Sequence, residues 1–189
     1  MNSSRLTVDR LREPGLGAFF RFRDVAPLGV SFPALQRLVV KGEVQKVGPG
    51  LYRLSQVELT ELGTIAMVAA AVPAGAVCLL SALRVHGIGT QAPQEVWLEV
   101  DLKPRKPTRL PARVGIVRFS GPMPTYGVKT QQILGVPVRV TSPARTIVDC
   151  FRYRNKLGLE VATEALLARL VSVDDIVRTA EVCRARTVV

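Results

Sequence analysis

From Leu62 to Leu83 the chain carries no charged residue, and a helix of that length could cross the roughly 30 Å hydrocarbon core of a bilayer. The interior of the run argues otherwise. Much of it is alanine, Thr64 and Ser81 interrupt its apolar character, and Pro73-Ala74-Gly75 stands at its centre, where a continuous helix would lose a hydrogen bond and kink or end. The stretch therefore reads as two buried helices, or a helix and a strand, within a folded core. At the N-terminus, Arg5, Asp9, Arg10, Arg12 and Glu13 prevent an apolar signal segment, so a soluble, cytoplasmic protein is expected. Cys78, Cys150 and Cys183 are widely separated and His86 is the single histidine. This is the pattern of neither a disulfide framework nor a zinc site.

At 189 residues with 48% apolar content, the chain can bury one large core or two small ones. Its net charge of +11 favours a polyanionic partner, and the distribution of that charge is more informative than its sum. Residues 1–55 hold nine basic and four acidic side chains, residues 56–101 one and five, residues 102–148 nine and none, and residues 149–189 seven and six. Two basic regions thus flank an acidic, apolar connector.

The first basic region has the order of a winged helix-turn-helix. A short helix over Leu6–Leu11 stops at Pro14-Gly15, and a second follows from Phe22-Arg23-Asp24-Val25 to Leu28, with Gly29 able to take the left-handed conformation that ends a helix. Ser31 is an N-cap candidate with Pro33 in the next turn, and Leu35, Leu38 and Val39 recur at the spacing of a buried helical face. The other face offers Ser31, Gln36, Arg37 and Lys41, side chains able to bond base edges or phosphates in a major groove. Gly42 ends this third helix. Glu43 to Val47, the turn Gly48-Pro49-Gly50 and Leu51 to Leu54 then read as a β-hairpin, a wing whose Lys46 and Arg53 are candidates for phosphate contacts.

The run Phe22-Arg23-Asp24-Val25, Gly29-Val30-Ser31, Leu35-Gln36-Arg37-Leu38, Lys41-Gly42 and Gly48-Pro49-Gly50-Leu51-Tyr52 resembles the N-terminal domain of AbiEi-type antitoxins. The resemblance continues through Ser81-Ala82-Leu83 with His86-Gly87, Pro93 with Val96-Trp97, and Thr141-Ser142-Pro143-Ala144-Arg145-Thr146-Ile147-Val148-Asp149. It implies an antitoxin of a type IV toxin-antitoxin system, which represses its own operon by binding repeated operator sequences and counteracts a nucleotidyltransferase-like toxin. It also implies further helical sequence after the last predicted helix, where this chain stops at Val189.

Residues 56–189 read as a second, mixed domain. Ser55 is a candidate cap for a connecting helix over 56–72, and a short buried helix follows from Cys78 to Gly87. Strands are predicted at Glu95–Val100 and Val114–Phe119, with a further hairpin at Val128–Ile133 and Val136–Val140, giving about four strands in a small, mainly antiparallel sheet. Between the first two, the proline-rich segment Lys103 to Pro111 keeps Lys103, Arg105 and Lys106 exposed as candidate phosphate contacts. Ser142-Pro143 starts a helix on which Arg145 and Asp149 stand one turn apart and can pair. Leu157–Leu170 and a helix capped by Ser172 follow.

Two carboxylates on one strand, Glu99 and Asp101, near the small turn Ile88-Gly89-Thr90, suggest an alternative. A metal-dependent nucleotidyltransferase or nuclease uses such acids to hold its cation, and Asp101-Leu102-Lys103 matches a short nuclease fragment. The usual turn is absent, and so is a third acid between Leu102 and Val148. Alternate strand positions share a face, so both acids equally suit the solvent side of an edge strand. His86, lacking a metal-binding companion, reads as a hydrogen-bonded helix-end residue.

The expectation is thus an α+β chain in which a winged helix-turn-helix at 1–55 precedes an α+β domain at 56–189 with C-terminal helices. It is expected to bind double-stranded operator DNA as a monomer that assembles cooperatively, with no enzymatic activity and no cofactor or metal. Ser31, Gln36 and Arg37 are the candidates for base readout, and Lys41, Lys46, Arg53, Lys103, Arg105 and Lys106 for phosphate.

Overall fold

A computed structural model describes residue 11 and residues 16–101, 109–119, 125–168 and 170–184, with Asp101 and Phe119 defined through their backbone alone. The chain is α+β and divides into two compact units. The first comprises Met1–Val72, Pro107–Pro111 and Gln132–Val138, and the second Pro73–Lys106, Ala112–Gln131 and Arg139–Val189. The predicted helix over Leu6–Leu11 lies outside the described residues apart from Leu11, which is buried in the core of the first unit.

In the first unit, strand β1 (Phe19–Arg21) leads directly into helix α1 (Phe22–Val25) and a 3-10 turn over Ala26–Leu28. The predicted helix over this stretch tightens after one turn because Pro27 has no N–H for the next helical bond. Gly29 closes it at φ +77°, a conformation that glycine adopts without steric penalty. Helix α2 (Phe32–Val40) then begins at Ser31, whose hydroxyl accepts from the Ala34 N–H at 3.3 Å, and Pro33 occupies its first turn. Leu35 and Leu38 are fully buried among Phe20, Val25, Val30, Val44 and Tyr52, and truncating either to alanine is expected to cost about 2–5 kcal/mol.

Strands β2 (Val44–Gly48) and β3 (Leu51–Leu54) form the predicted hairpin, with Gly50 at φ +65° in its turn. β1 adds to the far side of β3, giving the antiparallel order β1-β3-β2. Helix α3 (Glu61–Ala71) starts later than its predicted boundary. Ser55 is held by the end of the hairpin, its N–H donating to Glu43 O at 3.1 Å and its hydroxyl to Gly42 O at 2.5 Å, so Thr60 supplies the cap, accepting from the Gly63 N–H at 3.0 Å. Arg21 secures the other end by donating from Nη2 to the carbonyls of Ala70 and Ala71, favourable for a cation at a helix C-terminus.

A five-stranded sheet of order β6-β5-β4-β8-β7 is made of β4 (Ala76–Val77), β5 (Val96–Asp101), β6 (Val114–Phe119), β7 (Val128–Ile133) and β8 (Val136–Thr141), and all of it but Gln132–Val138 belongs to the second unit. Helix α4 (Leu79–His86) separates β4 from β5 in sequence. The expectation of a mainly antiparallel sheet is corrected: β4 pairs antiparallel with β5, but β5–β6 and β4–β8 are parallel. The reason is visible on β5, where Val96, Trp97, Leu98, Glu99 and Val100 are all buried. Both faces of this strand are covered, as parallel arrangements require. β7 and β8 turn through Leu134 and Gly135 at φ +51° and +73°.

Helices α5 (Pro143–Arg152), α6 (Arg154–Leu157), α7 (Leu159–Leu167) and α8 (Val173–Val182) follow. The predicted helix at Leu157–Leu170 is divided because Gly158, at φ +97°, leaves helical conformation. Ser172 caps α8 as expected, accepting from the Asp175 N–H at 3.1 Å. Ile147, Val148 and Cys150 of α5 pack with Val161, Ala162 and Ala165 of α7 and Ile176 and Ala180 of α8, around Cys78, Leu79, Leu83 and Trp97. Among the described residues, no helix is long and apolar enough to cross a membrane.

Candidate nucleic-acid interface

Helix α2 presents its face opposite Leu35 and Leu38 to solvent. Pro33, Arg37, Val40 and Lys41 are exposed there, and Phe32–Val40 contains no acidic residue. Ser31 is exposed, and with its oxygen engaged as the cap it keeps its O–H as a donor. Gln36 is half-buried and donates from Nε2 to the Tyr52 hydroxyl at 3.4 Å, so its carboxamide is oriented from the strand behind it. Arg37 donates from Nε to Pro33 O at 3.3 Å, which directs the guanidinium along the helix surface.

Lys46 is exposed on β2. Arg53, opposite Gln45 in the register of the hairpin, differs: it donates from Nη2 to Gln45 Oε1 at 2.7 Å and from Nη1 to Val57 O, and its Nε is buried without a hydrogen-bond partner. Arg53 therefore fastens the hairpin to the segment that follows it. Lys103, Arg105 and Lys106 lie outside the described residues.

Of the two acids considered for metal chemistry, Glu99 has a different setting from the solvent side of an edge strand, and the side chain of Asp101 lies outside the described residues. β5 is an interior strand, and Glu99 is buried in contact with Arg145, whose Nη2 donates to Glu99 Oε2 at 3.1 Å. Arg145 also donates from Nε to Asp149 Oδ2 at 2.6 Å and from Nη1 to Tyr126 O at 2.8 Å. All three charged side chains have essentially no exposure. Burial pushes the Glu99 carboxyl up to about 7 against the pull of Arg145, and burial likewise pushes Asp149 up to about 6. Fully ionised, the cluster would hold one positive and two negative charges in the interior, so retention of a proton by one acid is the physically favoured state. Glu99 Oε1 and Asp149 Oδ1 have no hydrogen-bond partner.

The pairing of Arg145 with Asp149 follows from their helical spacing; that Glu99 completes the group was not visible in the sequence. No described group of three or more His, Cys, Asp or Glu side chains is arranged to hold a metal ion. His86 stands at the end of α4 with Nε2 2.7 Å from Thr141 O, as a hydrogen-bonded helix-end residue. Burial raises the thiol of Cys150 to about 12 and that of Cys78 well above its usual range, leaving both protonated and poorly nucleophilic.

Within the second unit, the segments at 81–87, 96–97 and 141–149 that carried part of the family resemblance meet in this interior. Ser81 Oγ accepts from the Trp97 N–H at 2.9 Å, His86 meets Thr141, and the hydroxyls of Thr141 and Thr146 lie 2.7 Å apart beside the Arg145 cluster. They form a hydrogen-bonding frame joining α4, β5, β8 and α5.

Residues 16–55 match a family described as transcriptional regulator, AbiEi antitoxin. These residues include α2 and the hairpin of the first unit, so the class defined at this end of the chain is a transcriptional regulator. Residues 75–189 match the AbiEi antitoxin C-terminal domain, and the chain belongs to the AbiEi antitoxin family. No curated protein matches it.

Proposed function

We propose that this chain is the DNA-binding antitoxin of a type IV toxin-antitoxin system. Residues 1–55 act as a winged helix-turn-helix, with α2 as the recognition helix and the β2–β3 hairpin as the wing. Residues 56–189 form the antitoxin domain, with 56–72 as the connection. The observation that carries this reading is the outward face of α2, where Ser31, Gln36 and Arg37 stand beside Lys41 with no carboxylate on the helix. That is a donor-rich, cationic surface of the width that a major groove admits.

In this reading Ser31, Gln36 and Arg37 contact bases, while Lys41, Lys46, Arg53, Lys103, Arg105 and Lys106 contact phosphate. Arg53 would reach phosphate only by exchanging its present bonds to Gln45 and Val57. A cytoplasmic monomer binds repeated operator sequences cooperatively, occupies its own promoter and thereby represses the operon that also encodes a nucleotidyltransferase-like toxin, which it counteracts. The test is binding to the DNA upstream of its own gene. A duplex from that region should be preferred over unrelated DNA, and replacing Ser31, Gln36 and Arg37 together by alanine should remove the preference. An unchanged preference in that variant would overturn the recognition-helix assignment.

A further inference from the structure

Within α2, the most outward position is occupied by a hydrocarbon. Val40 is 88% exposed, on a helix whose other face is packed through Leu35 and Leu38. At 100° per residue, Val40 lies nearly opposite the midpoint of Leu35 and Leu38, on the same line as Pro33, with Gln36 to one side and Arg37 to the other. Lys41 is its chain neighbour and is exposed as well. A β-branched residue at such a position gains nothing from helix propensity and makes little packing contact. Its surroundings are the amide, guanidinium and ammonium groups of a surface suited to nucleic acid.

Thymine is distinguished in the major groove by its C5-methyl group, and apolar side chains recognise it by contact. We infer that Val40 reads a thymine methyl, and so is a specificity-determining residue of the recognition helix. The inference rests on the DNA-binding reading given above and goes beyond it by naming the base. Val40 lies about 4.5–6 Å along the helix axis from Arg37 and Gln36 at a rise of about 1.5 Å per residue. With base pairs about 3.4 Å apart, the thymine should fall one or two base pairs from the bases contacted by those two residues.

The experiment uses the full chain. Duplexes are first enriched from a randomised pool, and each thymine of the enriched sequence is then replaced singly by deoxyuridine, which removes only the methyl. For the native protein, one replacement per half-site should weaken binding about fourfold, the factor expected for one buried methyl-sized group. For Val40→Ala the same replacement should matter less than twofold, while deoxyuridine elsewhere behaves as with the native protein. An exposed Val→Ala change in a helix preserves the fold, which the unfolding temperature of the variant verifies. If no deoxyuridine effect depends on residue 40, the inference is overturned and the DNA-binding reading stands. If no sequence is enriched and DNA affinity is insensitive to salt, the DNA-binding reading fails and the inference with it.

Discussion

Gln36 of α2 donates a hydrogen bond to the hydroxyl of Tyr52 in β3, across 3.4 Å, and the Tyr52 ring in turn stacks on Phe20 of β1 with centroids 6.1 Å apart. A side chain on the surface proposed to contact bases is therefore positioned by an aromatic residue buried in the small sheet.

Tyr52→Phe removes the acceptor and retains the ring. Unfolding stability should fall by no more than about 1 kcal/mol, the net worth of a neutral hydrogen bond. Binding to an enriched duplex should weaken severalfold, because Gln36 loses its fixed orientation. In a double-mutant cycle, Tyr52→Phe should have little further effect on DNA affinity once Gln36 is alanine.

Arg37 and Lys46 should separate by the form of their defects. Arg37→Ala should cost about 1–3 kcal/mol of discrimination at one base position. Lys46→Ala should weaken all duplexes alike and reduce the slope of log affinity against log salt by about one. Titration of the native protein and both variants against specific and unrelated DNA, at several salt concentrations, measures both quantities.

The buried cluster predicts a pH dependence of stability. Glu99 titrates at about 7 when folded, above the roughly 4.3 of an unperturbed glutamate, so between these values the folded state binds more protons than the unfolded one. Stability contributed by this group is present in full below the lower value and is lost as pH rises through the higher one. Glu99→Gln, which mimics the protonated acid, should therefore gain on the native protein across that interval, by an amount on the order of 2 kcal/mol. Denaturant unfolding at pH 5 and pH 8 checks the direction.

Arg145→Met leaves both acids without their cation and should cost about 3–5 kcal/mol at neutral pH. The loss should shrink on acidification, as Glu99 and Asp149 take up protons. Thermal unfolding of the variant and the native protein across the same pH range tests this opposite trend.

Gly17→Ala should be poorly tolerated for a reason unrelated to φ. A Cβ there would come within 2.7 Å of Gly135 O and 2.9 Å of Gly135 C, backbone atoms that cannot swing aside. A loss of about 1–3 kcal/mol is expected from such overpacking, measurable by denaturant unfolding. Gly87→Ala, where no atom lies within 4 Å and only the left-handed φ of +66° opposes the change, is the comparison for backbone strain alone.

Local chemistry made much of this architecture readable. The α2 boundary is written in Ser31, Pro33 and the spacing of Leu35 and Leu38, and the hairpin in Gly48-Pro49-Gly50. β1 is not legible in the sequence because three residues, Phe19 to Arg21, carry no usable alternation and are fixed by pairing with β3. Ser55 and Thr60 are equally plausible caps in isolation; the choice between them depends on Ser55 being held by Gly42 and Glu43. The same limit applies to the carboxylates. Arg145 and Asp149 declare themselves by helical spacing, whereas Glu99 joins them from 46 residues away, and a lone acid on a strand looks the same whether it faces a cation in the core or solvent. At the candidate interface the residue types suggest chemistry, but it is the tertiary fold that makes Arg53 brace the hairpin and Tyr52 hold Gln36.

The two-residue strand β4 also bears on how the second unit is assembled. It is the central strand of its sheet and precedes both of its neighbours in the sequence, and Val77 O accepts from the Thr141 hydroxyl 64 residues later. Completing that parallel neighbour requires a long loop to close before its contacts can compensate the lost chain entropy. The rate at which this unit folds should accordingly be set by the encounter of β4 with β8 rather than by its helices, and a ribosome must release the chain through Thr141 before the middle of the sheet can exist.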